Sequence, residues 1–209
     1  MPIGIILLVL IAIIIYIGSA QRVLDRLYLT DNVALLIIVS IIVGSFINIP
    51  ISRDPFININ IGGALIPTLL AIYVLSKADS NKEFFRTIAA SIITAVIIFG
   101  VSYYFRSYGE GRDIIDPLYL YSLTGGTTAY LIGRSRRGAF VAGVLGFLLY
   151  DFTNIWQLIT GRITTHIRLG GAGAFDSIIL SGLFAVLLAE LIGESREMIT
   201  QGKEGNNDE

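Results

Sequence analysis

Charge is absent from four long stretches of this chain, and that absence constrains the fold more than any motif does. Met1 to Gln21, Asn32 to Ser52, Pro55 to Ser76 and Thr87 to Phe105 carry no Asp, Glu, Lys or Arg over 21, 21, 22 and 19 residues. A helix rises about 1.5 Å per residue and the hydrocarbon core of a bilayer is about 30 Å thick, so each run is long enough to cross it. Three more runs follow: Pro117 to Gly133, Gly138 to Gly161 broken only by Asp151, and Leu169 to Gly193 broken by Asp176 and Glu190. With 15% charged residues and a mean hydropathy of +0.75, the chain is too apolar for a water-soluble globule.

Continuous apolar runs lack the period-two alternation of a barrel strand, and a lipid-exposed segment must satisfy its own backbone, so the expected fold is all-α. The expectation is a polytopic transmembrane bundle of about seven spans, near residues 3–18, 33–51, 59–76, 87–105, 117–133, 139–159 and 174–193. They form one domain over residues 1–194, followed by a disordered cytoplasmic tail at 195–209. Ten Lys and Arg fall in the tail and in the first, third and fifth loops, against five on the opposite side. The excess marks the cytoplasmic face, which puts the amino terminus outside and the carboxyl terminus inside a cell (inner or plasma) membrane. A competing reading makes residues 1–20 a cleaved signal with Gly18-Ser19-Ala20 at the cut, but no basic residue precedes the apolar run.

A net charge of -1 offers no basic field for nucleic acid, and the absence of cysteine excludes disulfides and thiolate chemistry. His166 is the sole histidine, so no metal site and no cofactor is expected. The bilayer is the expected partner, together with a small solute, ion or proton; the oligomeric state is open.

Polar residues gather in three places on the outer side. Asn48, Pro50, Asn58, Asn60, Gly62, Gly63 and Pro67 interrupt the second and third spans, which predicts either a broken helix lining a cavity or an Asn-capped turn. Asp151 and Asn154 lie inside the sixth span, where an unpaired carboxylate costs about 2.5 to 3.5 kcal/mol on insertion scales, so Asp151 is expected to face the bundle interior, be protonated or hold a partner. Gly170, Gly171, Gly173 and Asp176 open the seventh span, where an acid suits the helix dipole. Two Gly-Gly-Ala triplets, at Gly62 and Gly170, each begin an inward-running span, as in a parallel repeat around one central site.

Asn48-Ile-Pro-Ile, Asn60-Ile-Gly-Gly-Ala-Leu-Ile-Pro67 and Gly170-Gly-Ala-Gly-Ala-Phe-Asp176, followed by Gly182-Leu-Phe-Ala-Val-Leu-Leu-Ala189, resemble a family of archaeal and bacterial membrane proteins known as domain of unknown function 1614. That resemblance spans about Asn32 to Ile192 and implies a polytopic inner-membrane protein without bringing an activity. A weaker one is carried by Tyr150-Asp151 and by Gly171-Ala-Gly173 with Asp176, which look somewhat like the paired motifs of presenilin-type intramembrane aspartyl proteases. It implies Asp151 and Asp176 as catalytic general base and general acid. Here Ala174 and Phe175 separate glycine from acid, and seven spans stand in place of nine.

The leading expectation is therefore binding or passage of a small solute, ion or proton. Asp151 is its partner, in an outer-leaflet cavity lined by Asn48, Asn60, Gly62, Gly63, Pro67, Asn154, Gly170, Gly171, Gly173 and Asp176. Intramembrane proteolysis by the two acids and a scaffold without catalysis are the alternatives.

Overall fold

The uncharged run from Asn32 to Ser52 does not stay helical. In the computed structural model, which describes residues 27, 29–108 and 117–204, helix α1 (Asp31–Gly44) stops before Ser45. The chain then forms strand β1 (Asn48–Arg53) and turns back as β2 (Phe56–Asn60). Pro50 is the reason on one side: it has no N–H for a helix and fits an edge strand. Phe56-Ile-Asn-Ile-Asn is the reason on the other, since its two isoleucines alternate with polar residues and so face one side of a sheet. The strands pair antiparallel with Asn48 opposite Asn60 and Arg53 opposite Phe56, and slip by one residue between Pro50 and Ser52. A third strand, β3 (Ile167–Leu169), joins the other edge of β2 in parallel, Ile57 opposite Ile167 and Ile59 opposite Leu169. Ile57 and Ile167 pack on Leu158 of the fifth helix. An all-α chain is thus corrected to a mostly helical one with a three-stranded sheet.

From β2 the chain enters a π turn (Ile61–Leu65) and helix α2 (Ile66–Ser76), followed by α3 (Asn81–Tyr108), α4 (Pro117–Gly133), α5 (Arg136–Ile159), β3, a 3₁₀ turn (Gly173–Phe175) and α6 (Ser177–Glu204). Because the hairpin consumes residues 48–60, α1 keeps 14 residues and α2 keeps 11, about 21 and 17 Å of helix. Among the described residues two helices are long and apolar enough to cross a membrane, Asn81–Phe105 and Arg136–Ile159. The expected span at 3–18 lies outside the described residues. Helix α6 runs through Glu204, into the stretch expected as a tail; residues 205–209 lie outside the described ones.

Close contacts give the helix directions. A side-chain carbon on Gly138 would stand 3.0 Å from Thr87 Oγ1 and one on Gly146 would stand 2.7 Å from Thr94 Cβ, so α3 and α5 run the same way. Gly143 meets Ser181 of α6, and Arg136 at the start of α5 pairs with Glu190 further along α6, so α5 and α6 run oppositely. Helices α3 to α6 therefore alternate in direction. Their interior is small and hydroxylated: Ala90, Ala129, Ala139, Ala142 and Ala185 form one cluster, and Thr87, Ser91, Thr94, Ser122 and Ser181 are buried. Their exterior is large and apolar, with Phe85, Ile92, Val96, Tyr103, Leu131, Trp156 and Leu187 exposed. That distribution inverts the one water imposes, and small residues at helix contacts are what lipid-phase packing uses.

The two ends differ. At one lies the sheet with its connections. At the other, Arg137 pairs with Asp79, and Ser135 caps α5 by accepting from Gly138 N at 3.0 Å while donating to Glu83 Oε1 at 3.1 Å. Lys77, Lys82, Arg86, Arg134, Arg136 and Arg137 belong to this second end, against Arg53, Arg162 and Arg168 at the sheet end.

Candidate functional site

Asp151 sits on α5, three turns from Gly161 where the helix has ended, and is partly buried. Its neighbour Tyr150 is 4% exposed and packs edge-on against Phe147 and Tyr121, with ring centroids 5.5 and 6.3 Å apart. One residue on, rotated by about 100°, the carboxyl of Asp151 leaves that aromatic wall. Asn154 stands three residues further on the same helix face. Asp176 heads α6 at the end of the bundle where α5 finishes, on the same side as Asp151. The two acids thus come from separate elements, α5 and the cap of α6, that meet at one end of the bundle.

Asp176 owes its place to the glycine-rich connection. After β3, Gly170 and Gly173 adopt φ of +67° and +64°, the left-handed region in which a side chain is strained, and the chain reverses within the 3₁₀ turn. Asp176 then returns to extended backbone (φ -66°, ψ 148°) and caps α6: one carboxylate oxygen accepts from Ile178 N at 3.1 Å, the other from Ala172 N at 3.2 Å. Both oxygens are engaged by backbone.

The asparagines and glycines clasp the turns at the sheet end. Asn60 is 2% exposed, and its Oδ1 accepts from Gly63 N at 2.8 Å. Its Nδ2 donates to Ser45 O at 2.8 Å and to Asn48 Oδ1 at 3.1 Å. It is the cap of the π turn and the clasp between α1, β1 and β2. Pro67 is buried at the start of α2, where the π turn runs directly into the helix. Gly62 abuts the end of α1, where a side-chain carbon would fall inside contact distance of Ile41 O. Gly63 and Gly170 meet back to back: a carbon added to either would collide with backbone of the other's turn, Gly170 O in one case and Gly63 C in the other. Gly171 is exposed beside Arg168, and Gly173 packs on Ser45. The two Gly-Gly-Ala triplets are thus paired strand-to-helix turns, fed by the parallel strands β2 and β3.

Ser45 is a residue that sequence reasoning missed. Its carbonyl holds Asn60, its side chain lies against Gly173, and its Oγ donates to Ile41 O at 2.6 Å. The signal was the Gly44-Ser45 pair just before the polar stretch, small residues closing an apolar run. His166 stacks edge-on against Phe56 at 5.0 Å, and among the described residues no group of three or more His, Cys, Asp or Glu gathers as metal ligands would.

A family model covers residues 50–188, which holds β2, β3, both glycine turns, Asp151, Asn154 and Asp176. The chain belongs to DUF1614, a family described as protein of unknown function. Neither the curated proteins nor the solved structures contain a match. For DUF1614 the site therefore has to be read from its own chemistry.

Proposed function

We propose that this DUF1614 protein is a multi-pass protein of the cell membrane that binds or passes a proton or small cation at the Asp151–Asp176 pair. The placement of two acids at one end of the bundle, one inside α5 and one capping the antiparallel α6, supports it. Two anions held together in a low-dielectric site are stabilised by a shared proton or by a cation between them. Asn154 orients Asp151, while Asn48, Asn60, Pro67 and Gly62, Gly63, Gly170, Gly171 and Gly173 build the wall that holds Asp176 opposite it. In this reading the chain crosses the membrane about seven times, the amino terminus is outside, and the Lys- and Arg-rich end faces the cytoplasm.

Each Asp176 oxygen accepts one backbone N–H and keeps a further lone pair, so a proton or cation shared with Asp151 leaves the helix cap in place. The test is purified protein in liposomes with an internal pH dye, under an imposed pH gradient with and without Na⁺ or K⁺. Wild type discharges the gradient, alone or in exchange for one of the cations, and Asp151→Asn slows discharge at least about tenfold while eluting as a folded monodisperse species. Discharge by D151N at the wild-type rate overturns the reading.

A further inference from the structure

Two fully enclosed hydroxyls stand apart from the others in the bundle. Ser and Thr in apolar helices usually donate to a carbonyl one turn back, and here Ser91, Ser122, Thr124 and Thr127 do so, to Thr87 O, Leu118 O, Leu120 O and Leu123 O at 2.6 to 2.9 Å. Thr94 and Ser181 are both 0% exposed, and neither hydroxyl oxygen has a hydrogen-bond partner. A buried hydroxyl without a partner is destabilising by about 1 to 3 kcal/mol. Both face the same stretch of the interior: Ile98, one turn beyond Thr94 on α3, and Ser181 Oγ both stand against Gly125 of α4.

From this junction polar side chains run both ways. Along α3 the file is Thr94, Ser91, Thr87 and Glu83, each three or four residues from the next and so on one stripe. Along α6 it is Ser181, Ser177 and Asp176, with Ser177 donating to Leu118 O at 3.2 Å. At the Glu83 end an open pocket lined by Glu83, Thr87, Arg137, Gly138, Ala78 and Val141 has room for about one water. Gly138, Gly143 and Gly146 of α5 bring both stripes against one helix, because a side chain at any of them would collide with Thr87, Ser181 or Thr94.

We propose that this hydroxyl file is a proton path joining the Asp151–Asp176 pair to Glu83 at the opposite end, with water completing the junction between Ser181 and Thr94. The inference rests on the proton or cation reading of that pair. In each step a hydroxyl or water oxygen accepts one proton and releases another to the next oxygen, so no group changes its net charge after passage and one proton moves from end to end. The groups facing the path are Asp151 and Asp176 at one end and Glu83, Arg137 and Asp79 at the other, and the segment between is uncharged.

The experiment is the same liposome assay on Thr94→Val, Ser181→Ala and the hydroxyl-retaining Thr94→Ser and Ser181→Thr. The expected result is at least about tenfold slower proton flux in T94V and S181A, with T94S and S181T within about twofold of wild type. If T94V fails to fold, T94A replaces it. Full flux in the hydroxyl-free variants, with D151N inactive, overturns the path and leaves the carboxylate site standing. Full flux in D151N overturns the site reading and the path with it, whatever the hydroxyl variants do. Equal loss in T94S and T94V also overturns the path, since packing alone would then explain both.

Discussion

Replacing Asn60 with alanine separates a clasp from a cavity wall. The amide makes three hydrogen bonds at 2.8, 2.8 and 3.1 Å inside a residue that is 2% exposed. Asn60→Ala leaves Gly63 N–H, enclosed in the π turn, without its acceptor, and a buried orphaned donor costs about 1 to 3 kcal/mol. Ser45 O loses its side-chain donor, worth about 0.5 to 1.5 kcal/mol in a partly buried bond, and the Asn48 contact adds less because that residue is exposed. Together the loss is about 2 to 4 kcal/mol. The assay is denaturant unfolding of purified protein in mild detergent, followed by far-ultraviolet circular dichroism. Asn48→Ala run in parallel and in combination gives the Asn48–Asn60 coupling, expected below about 1 kcal/mol. Asn60→Asp keeps the acceptor for Gly63 N but loses both donors, and its charge faces the Ser45 carbonyl, so it does not rescue. A change in N60A below about 0.5 kcal/mol refutes the clasp and returns Asn60 to the set of solute-binding residues.

Gly63→Ala is expected to destabilise by about 3 kcal/mol or more, the upper end of overpacking, because the new carbon meets the rigid backbone of the Gly170 turn. Gly100→Ala, on an open face of α3 with nothing within 4 Å, stabilises by about 0.5 to 1 kcal/mol in the same unfolding assay; similar effects at both sites would refute the back-to-back packing. The native chain has no cysteine, so single cysteines report topology directly: in intact cells an impermeant maleimide should label Gly161→Cys at the sheet end and spare Ala78→Cys at the Arg137 end, and the reverse pattern would invert the proposed orientation.

Much of the helical frame was legible because lipid-compatible helices need long uncharged runs. The expectation at 117–133 coincides with α4, that at 139–159 falls inside α5, and that at 87–105 falls inside the longer α3. The hairpin was not read, although Phe56-Ile-Asn-Ile-Asn carries a period of two, because the surrounding apolarity favoured a helix on either side. The Gly-Gly-Ala echo was visible in sequence, but not that its glycines are used up by backbone contact with each other. Asp176 as a helix cap followed from an acid before an apolar run, whereas its place relative to Asp151 depends on how β3 is laid beside β2, a long-range pairing with no local signature. The hydroxyls at 87, 91 and 94 had helical spacing, but only burial distinguishes the Thr94 oxygen, which lacks a partner, from the Ser91 oxygen, which has one.

The sheet and the carboxylates are one mechanical unit. β2 leads through Asn60 into α2, β3 leads through Gly170 into the turn that ends in Asp176, and the two turns touch at Gly63 and Gly170. Asp176 is consequently located by contacts that begin at Ser45 and Asn60, on the far side of the glycine pair from α6. Loosening that pair moves the cap of α6 relative to α5, and with it the separation of Asp176 from Asp151, on which two-carboxylate chemistry depends steeply. A glycine variant that remains folded should therefore weaken the site without touching either acid, whereas a substitution on the exposed flank of the sheet should leave the site unaltered.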